Sequence, residues 1–490
     1  MLLLGAVLCY NFFMHTTLDK LKFACAHARE KTENFFYGYF YPVYLALAVL
    51  LFWVANLQVV GFAIIIFTAC FLLIFYDDFT PILPLIFLAP MSFRTLISGF
   101  FTAEIVILAI LASLFISALI YHLIKYPIKR PLFDKFFFVC VGLFIVLLFS
   151  GLFSGKLKYF SYGLQVLFMA GVVPMLIHFL FLNKINFNTK INLRKYFAFI
   201  FITATNVACI EIIYGEINPN AFAFNKHYVP GNFCWANTNH IANLILMAVP
   251  LCLYLMRDCK SLFLGALELI LLYGSMLVTK SDGALAVLLG YTPAMMIIFY
   301  LNAYLKHVKK LNVIYTIILS LGVLVGSYLL LFKLDSMISL FQKASNPIGR
   351  LTAYNQAYEL FLKHPVYGAG LGGGSYELFH LVDIGKATET YNGFYHSTFF
   401  HFLACSGTIG ILAFVLYYIA RIKLITLNDS VFGVFALISF LMFANYGMIE
   451  NSEYVICLLY MTSIISFSGI ASKKGNGDKP LPLFVKNVFR

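Results

Sequence analysis

Charge is what this 490-residue sequence has least of. Only 11% of its residues are Asp, Glu, Lys or Arg, while 62% are apolar; an average globular chain carries about 25% charged residues. A water-soluble fold could not hide so much apolar surface behind so few charges. A soluble enzyme, a fibrous protein and a disordered chain are thereby excluded. No CxxC pair occurs among the ten cysteines. Six of them (Cys70, Cys140, Cys209, Cys252, Cys405 and Cys457) lie in apolar runs, where cysteine behaves as a small hydrophobe. That speaks against a disulfide framework and a cysteine zinc site. There is no sequence repeat, no low-complexity stretch and no soluble domain. No small-residue cleavage site follows the first apolar run, 1–14, which reads as an interfacial lead-in and not as a cleaved signal peptide.

What is present is a mean hydropathy of +0.89 and a succession of apolar runs. A bilayer core about 30 Å thick needs about 20 apolar residues per helix. Runs at 38–56, 57–76, 102–124, 136–155, 160–183, 196–214, 239–256, 262–279, 283–304, 312–333, 396–420, 429–448 and 453–470 meet that need. Segment 79–93 is short and holds Pro84 and Pro90, so it spans, tilts or re-enters. The expectation is an all-α polytopic membrane protein, a bundle of 12–14 transmembrane helices. Most of the 34 Lys and Arg residues fall in 15–37, 125–135, 184–195, 257–260, 305–311, 421–428 and 471–490. Those stretches alternate with the runs without a reversal, which puts both termini in the cytoplasm. The net charge of +13 is then explained by topology, with the bilayer as partner and no nucleic acid.

The chain divides into a cytoplasmic or interfacial segment 1–37, transmembrane helices over 38–230, a region 231–470 and a basic cytoplasmic tail 471–490. Two outer segments are long, 215–238 and 334–395. In GRLTAYNQAYELFLKHP, residues Leu351, Tyr354, Tyr358, Phe361 and Leu362 recur at helical spacing, which predicts an amphipathic helix on the outer membrane surface. Pro365 and a glycine-rich stretch from Gly368 through Gly370 to Gly374 end it. Without a preceding strand or a following Lys-Ser/Thr, that stretch is a poor phosphate loop and a good close-packing turn.

Arg350 sits just before the predicted helix, where guanidinium and helix N-terminus would converge on a phosphate; the alternative is an anchor to lipid headgroups. His396 begins the next apolar run and is placed for proton transfer, or serves as an interfacial belt residue. Glu211, Lys280 with Asp282, and Glu450 with Glu453 lie near outer helix ends, where ionisable groups are functional by default. Asp282 could simply pair with Lys280. Asn237, Asn239 and His240 begin another run and suit capping or interhelical bonding. Glu359, Glu377, Asp383 and Glu389 form no tight acidic motif of the kind that holds Mg²⁺ on a diphosphate.

Four stretches, GNFCWANTNHIANLILMAVPL, LVTKSDGALAVLLG, GRLTAYNQAYELFLKHPVYGAGLGGG and FYHSTFFHFLACSGTIGILAF, together resemble the bacterial O-antigen ligase and O-antigen polymerase superfamily. They follow the family's order and cover residues 231–416. Two positions depart from its pattern: Asp282 stands where an Arg is usual, and Ser397 where an Asn is usual. The resemblance implies a metal-independent, inverting glycosyltransferase without cofactor at the outer face of the bacterial cytoplasmic membrane. Its donor would be a glycan on undecaprenyl (polyprenyl) diphosphate, and its acceptor a hydroxyl of a glycan or glycolipid. Arg350 would bind the diphosphate and His396 would deprotonate the acceptor. Lys280, Ser281, Asn239 and Gly370 would contact diphosphate or glycan, with Asp282, Ser397 and Glu450 in secondary roles. Ligation of a whole glycan is the first expectation and polymerisation the alternative. A secondary transporter or flippase is less favoured, because ionisable residues gather at the outer face and no inverted repeat is visible.

Overall fold

The computed structural model describes residues 34–55, 57–92, 102–152, 163–164, 166–187, 191–217, 238–257, 262–304, 347–371, 395, 397–426, 430–450, 452–453 and 457–473. Side chains of a few of these, including Arg350, lie outside the description, as do the expected span 312–333 and most of both long outer segments. No β-strand occurs among the described residues. In chain order the helices are α1 (Phe40–Val54), α2 (Gln58–Phe75), α3 (Leu83–Leu88), α4 (Thr102–Lys125), α5 (Lys135–Leu152), α6 (Val173–Lys184) and α7 (Leu193–Ile217). They continue with α8 (Thr238–Met256), α9 (Leu262–Val278), α10 (Asp282–Tyr304), α11 (Pro347–Lys363), α12 (Thr398–Thr426), α13 (Val431–Gly447) and α14 (Cys457–Lys473). The protein is an all-α polytopic membrane protein: six described stretches are long and apolar enough to cross a bilayer, and seven shorter apolar helices accompany them.

Apolar sequence makes helices here because lipid offers the backbone no hydrogen-bond partner, so each segment must satisfy its own N–H and C=O groups. Burial then sorts the helices. From Ile241 to Tyr254 every α8 residue is buried, and α14 is buried along almost its whole length. These two pack with α7, α13 and α6 at the centre. At the other extreme, α1, α4 and α9 turn Leu51, Ile124 and Phe263 outward, each at least 70% exposed, as lipid-facing side chains do. The proline-rich segment 79–93 becomes α3 with 3₁₀ turns at Thr80–Ile82 and Ala89–Ser92. It is buried against α1 and α7.

One expected span changes character. The apolar run 396–420 is a single segment in sequence, yet α12 breaks at Gly407, whose φ of 61° and ψ of −157° are not helical. Phe402 and Phe414 would sit about 18 Å apart on a straight helix; their rings stack at 4.4 Å between centroids. The chain therefore bends sharply into a short arm, 398–406, and a long arm, 408–426. At about 28 Å the long arm alone matches the bilayer core.

A helix break leaves carbonyls and N–H groups without intrahelical partners, and a distant turn supplies them. Thr408 N donates to Pro365 O at 2.9 Å, Ile409 N to Val366 O at 3.3 Å, and Ala369 N to Ala404 O at 2.9 Å. Ser150 Oγ donates to Cys405 O at 2.7 Å. The turn after α11 is thus a backbone splint across the break.

Arg421 also differs from its expected place. It falls in a stretch assigned to a cytoplasmic loop, yet it is fully buried. Its guanidinium makes a two-pronged pair with Glu453 and lies over the Tyr417 ring at 3.9 Å.

Candidate active site at the shared helix starts

The first turns of α8, α10 and α12 meet at one end of the bundle, against Tyr446 at the end of α13 and Glu450 and Ser452 just after it. Asn239, second residue of α8, donates its amide to Glu450 Oε2 at 2.8 Å. One helical turn deeper, Asn243 donates to Ser452 Oγ at 2.8 Å. Thr398 opens α12 and donates its hydroxyl to the Glu450 carbonyl at 3.4 Å. Ser397 precedes it, fully buried, and its Oγ accepts from Phe400 N at 3.4 Å; this is an N-cap. Ser281, which precedes α10, has its hydroxyl 2.9 Å from that of Tyr446. Glu450 is only 3% exposed, so its carboxylate is held between helix starts, where the positive ends of the dipoles favour a negative group.

Lys280 stands at the rim of this cluster. Its φ of 56° makes it the one positive-φ residue other than glycine among those described, a conformation that costs an L-residue free energy and gathers at functional sites. Its ammonium pairs with Glu216 at the end of α7, at 2.8 Å, with both side chains substantially exposed. An exposed pair of this kind holds weakly and exchanges readily. Asp282 is the first residue of α10 and adds an acidic group to its first turn. The Lys280–Asp282 pairing considered from sequence gives way to Lys280–Glu216.

The helix expected at GRLTAYNQAYELFLKHP is α11, but it begins earlier, at Pro347. Arg350 is therefore inside its first turn and not ahead of it. Its buried face also differs: Ala357 and Leu360 are buried, while Tyr358 and Leu362 are more than half exposed. The buried positions serve packing of α11 along α12. Tyr354, one turn after Arg350, stacks on Phe400 in the first turn of α12, with centroids 4.4 Å apart and planes 10° from parallel. Farther along, the splint joins the turn after α11 to the end of the short arm. The two helices consequently run in the same direction with their starts together. Gly370, in that turn, is buried with a φ of 85°. His396 lies outside the described residues; Ser397, Thr398 and Phe400, which follow it, are all placed.

Of the residues singled out from sequence, Asn239, Ser281, Ser397 and Glu450 come into one cluster, with Lys280 and Asp282 at its edge. Glu453 does not join it, being committed to Arg421. Tyr446, Ser452, Asn243 and Thr398 were missed. Asn243 carried a usable signal, since it stands one turn beyond Asn239 on the same helix face. Chemically, the cluster offers helix N-termini to an anion and hydroxyl, amide and carboxylate groups to a sugar.

Residues 267–415, from α9 to the long arm of α12, match the protein family described as O-antigen ligase. No curated protein matches the chain. The family match covers three of the four sequence stretches that carry the resemblance, those around the starts of α10, α11 and α12, and it supports the O-antigen ligase and polymerase superfamily for this region of the chain.

Proposed function

We propose that the protein transfers a glycan from polyprenyl diphosphate to an acceptor hydroxyl at the outer face of the bacterial cytoplasmic membrane, without a metal. The observation that carries this reading is the meeting of helix starts: α8, α10 and α12 begin at one point, and α11, with Arg350 in its first turn, begins beside α12. Positive dipole ends and a guanidinium fit a diphosphate leaving group. Arg350 is assigned to the diphosphate, assisted by Lys280 at the rim. Asn239 and Ser281 are assigned to the glycan or diphosphate, Glu450 and Ser397 support the helix starts that frame the site, and Gly370, in the splint turn, is assigned to close packing.

The chemistry is a single displacement. The acceptor oxygen attacks the anomeric carbon as the bond from that carbon to the diphosphate oxygen breaks, and the acceptor proton passes to the His396 imidazole. Configuration at the anomeric carbon inverts, and polyprenyl diphosphate departs with its charge balanced by Arg350 and the helix starts. Diphosphate is already a good leaving group, so charge stabilisation and one base suffice.

The test is donor binding and single-turnover transfer for two variants in nanodiscs. Arg350→Lys keeps the charge but loses the bidentate fork, and should weaken donor binding as well as rate. His396→Ala should bind donor normally and transfer roughly 10²–10⁴-fold more slowly, the usual worth of a positioned base. Near wild-type transfer by His396→Ala would remove it as the base. The product decides the acceptor: glycan on a separate molecule means ligation, and a longer glycan on the carrier means polymerisation.

A further inference from the structure

Arg350 is in the first turn of α11, His396 precedes α12 in sequence, and the two helices pack side by side. Moving along α11 towards Arg350, its packing runs through Leu360 (7% exposed), Ala357 (0%) and then Tyr354. Arg350 lies four residues, about 6 Å of helix, beyond Tyr354. On α12 the partner ring, Phe400, is three residues past the cap Ser397, and His396 is the residue before that cap. In sequence, the stacked pair stands four residues after each of the two assigned residues. The splint of backbone bonds from 365–369 to 404–409 also ties these helices, at the far end of the short arm. The splint fixes the far end of the pair, and the stack lies nearer the helix starts. A near-parallel stack at 4.4 Å resists both sliding and splaying of two flat surfaces.

We infer that Tyr354 and Phe400 form a positioning pair for glycan transfer, fixing the spacing between α11, with Arg350 in its first turn, and α12, which follows His396 in sequence. This rests on the transferase reading above and adds two residues that touch neither leaving group nor acceptor. The pair matters because transfer needs diphosphate, anomeric carbon and base in line. A displacement of about 1 Å in such an arrangement costs as much as 10²-fold in rate.

The full-length protein in nanodiscs provides the test. Binding is read with undecaprenyl diphosphate, which carries the isoprenoid and both phosphates but no sugar; transfer is read with lipid-linked glycan extracted from the producing cells. Tyr354→Ala and Phe400→Ala should each slow transfer at saturating donor by about 10- to 10²-fold, with binding of undecaprenyl diphosphate unchanged. The double variant should be no slower than the worse single, since both remove one contact. Tyr354→Phe keeps the ring and should restore the rate.

Tyr354→Leu keeps apolar bulk without a flat ring, and it decides the matter should the alanine variants insert poorly. A fast Tyr354→Leu enzyme overturns the inference. So does any variant that loses undecaprenyl diphosphate binding at an unchanged rate, because the ring would then be touching donor. If Arg350→Ala and His396→Ala are inactive while the ring variants transfer normally, the positioning role fails and the transferase assignment stands. If Arg350→Ala and His396→Ala are themselves active, the assignment falls and takes the pair with it.

Discussion

Replacing Gly407 by alanine should be among the most damaging single-atom additions in this protein. Its backbone angles fall in a region that is essentially glycine-only, where another residue costs on the order of 1–3 kcal/mol. Conformation is half of the problem. A Cβ at Gly407 would stand 2.5 Å from Gly368 N and 2.6 Å from Val366 O, and backbone atoms cannot swing aside as a side chain can. Gly368 is subject to the same constraint from the other side, 2.4 Å from Cys405 C and Ser406 N. Relief requires the 365–369 turn to lift off, and with it the bonds from Thr408 N, Ile409 N and Ala369 N. Each such bond is worth about 0.5–1.5 kcal/mol net. Strain and lost bonds together come to roughly 3–7 kcal/mol. Gly290→Ala is the control, for a Cβ there meets nothing within 4 Å. Unfolding of both variants by denaturing detergent, followed by the loss of helical signal, measures the difference. If Gly407→Ala unfolds like Gly290→Ala, the account of the break and its splint is wrong.

The buried pair between Arg421 and Glu453 should behave asymmetrically: Arg421→Met or Glu453→Gln alone should cost about 3–5 kcal/mol, while Arg421→Met with Glu453→Leu should recover most of it. Additive losses in the double variant, measured by the same detergent unfolding, would contradict that. Transfer should persist in chelator, and dependence on restored Mg²⁺ or Mn²⁺ would argue against the arginine-centred assignment. Cysteines introduced between 340 and 390 should react with an impermeant reagent from outside intact cells, and those between 473 and 490 only after permeabilisation. Labelling of the 340–390 segment from the cytoplasm would overturn the proposed placement of the reaction.

The positions of the helices were legible because lipid sets a length and a composition that few other contexts require. Helices α5, α7, α8 and α10 begin and end within a few residues of the apolar runs that announce them. The break in α12 was not legible. HFLACSGTIGIL stays apolar across Gly407, and the groups that stabilise the break come from 365–369, some forty residues earlier. Arg421 was misplaced for a related reason. It stands beside Lys423 near the end of an apolar run, and only Glu453, 32 residues on, reveals why it is buried. The start of α11 carried a readable signal in Pro347, a residue suited to the first helical position, and Arg350 belongs one turn further in than its neighbours suggested. Within the site, Asn239 and Glu450 could each be singled out as polar groups at a helix end. That they bond to one another across 211 residues is a property of packing, which composition and periodicity do not contain.

The burial of α14 has a consequence for the order of assembly. It is synthesised after the thirteen other described helices, yet it lies among α6, α8, α12 and α13. Several groups placed in the membrane earlier wait for it: His178 for the Ser466 hydroxyl at 3.0 Å, and Arg194 for the Ala471 carbonyl at 3.1 Å. Thr462, Ser463, Ser466 and Ser468 are all fully buried, so α14 brings polar groups that lipid would not welcome into a slot the earlier helices have left open. Until residue 457 and those after it leave the ribosome, these bonds are unmade and the centre of the bundle lacks one of its most buried helices. A chain interrupted before that point would lack these partners, so the last of the described helices acts as the keystone of those that precede it.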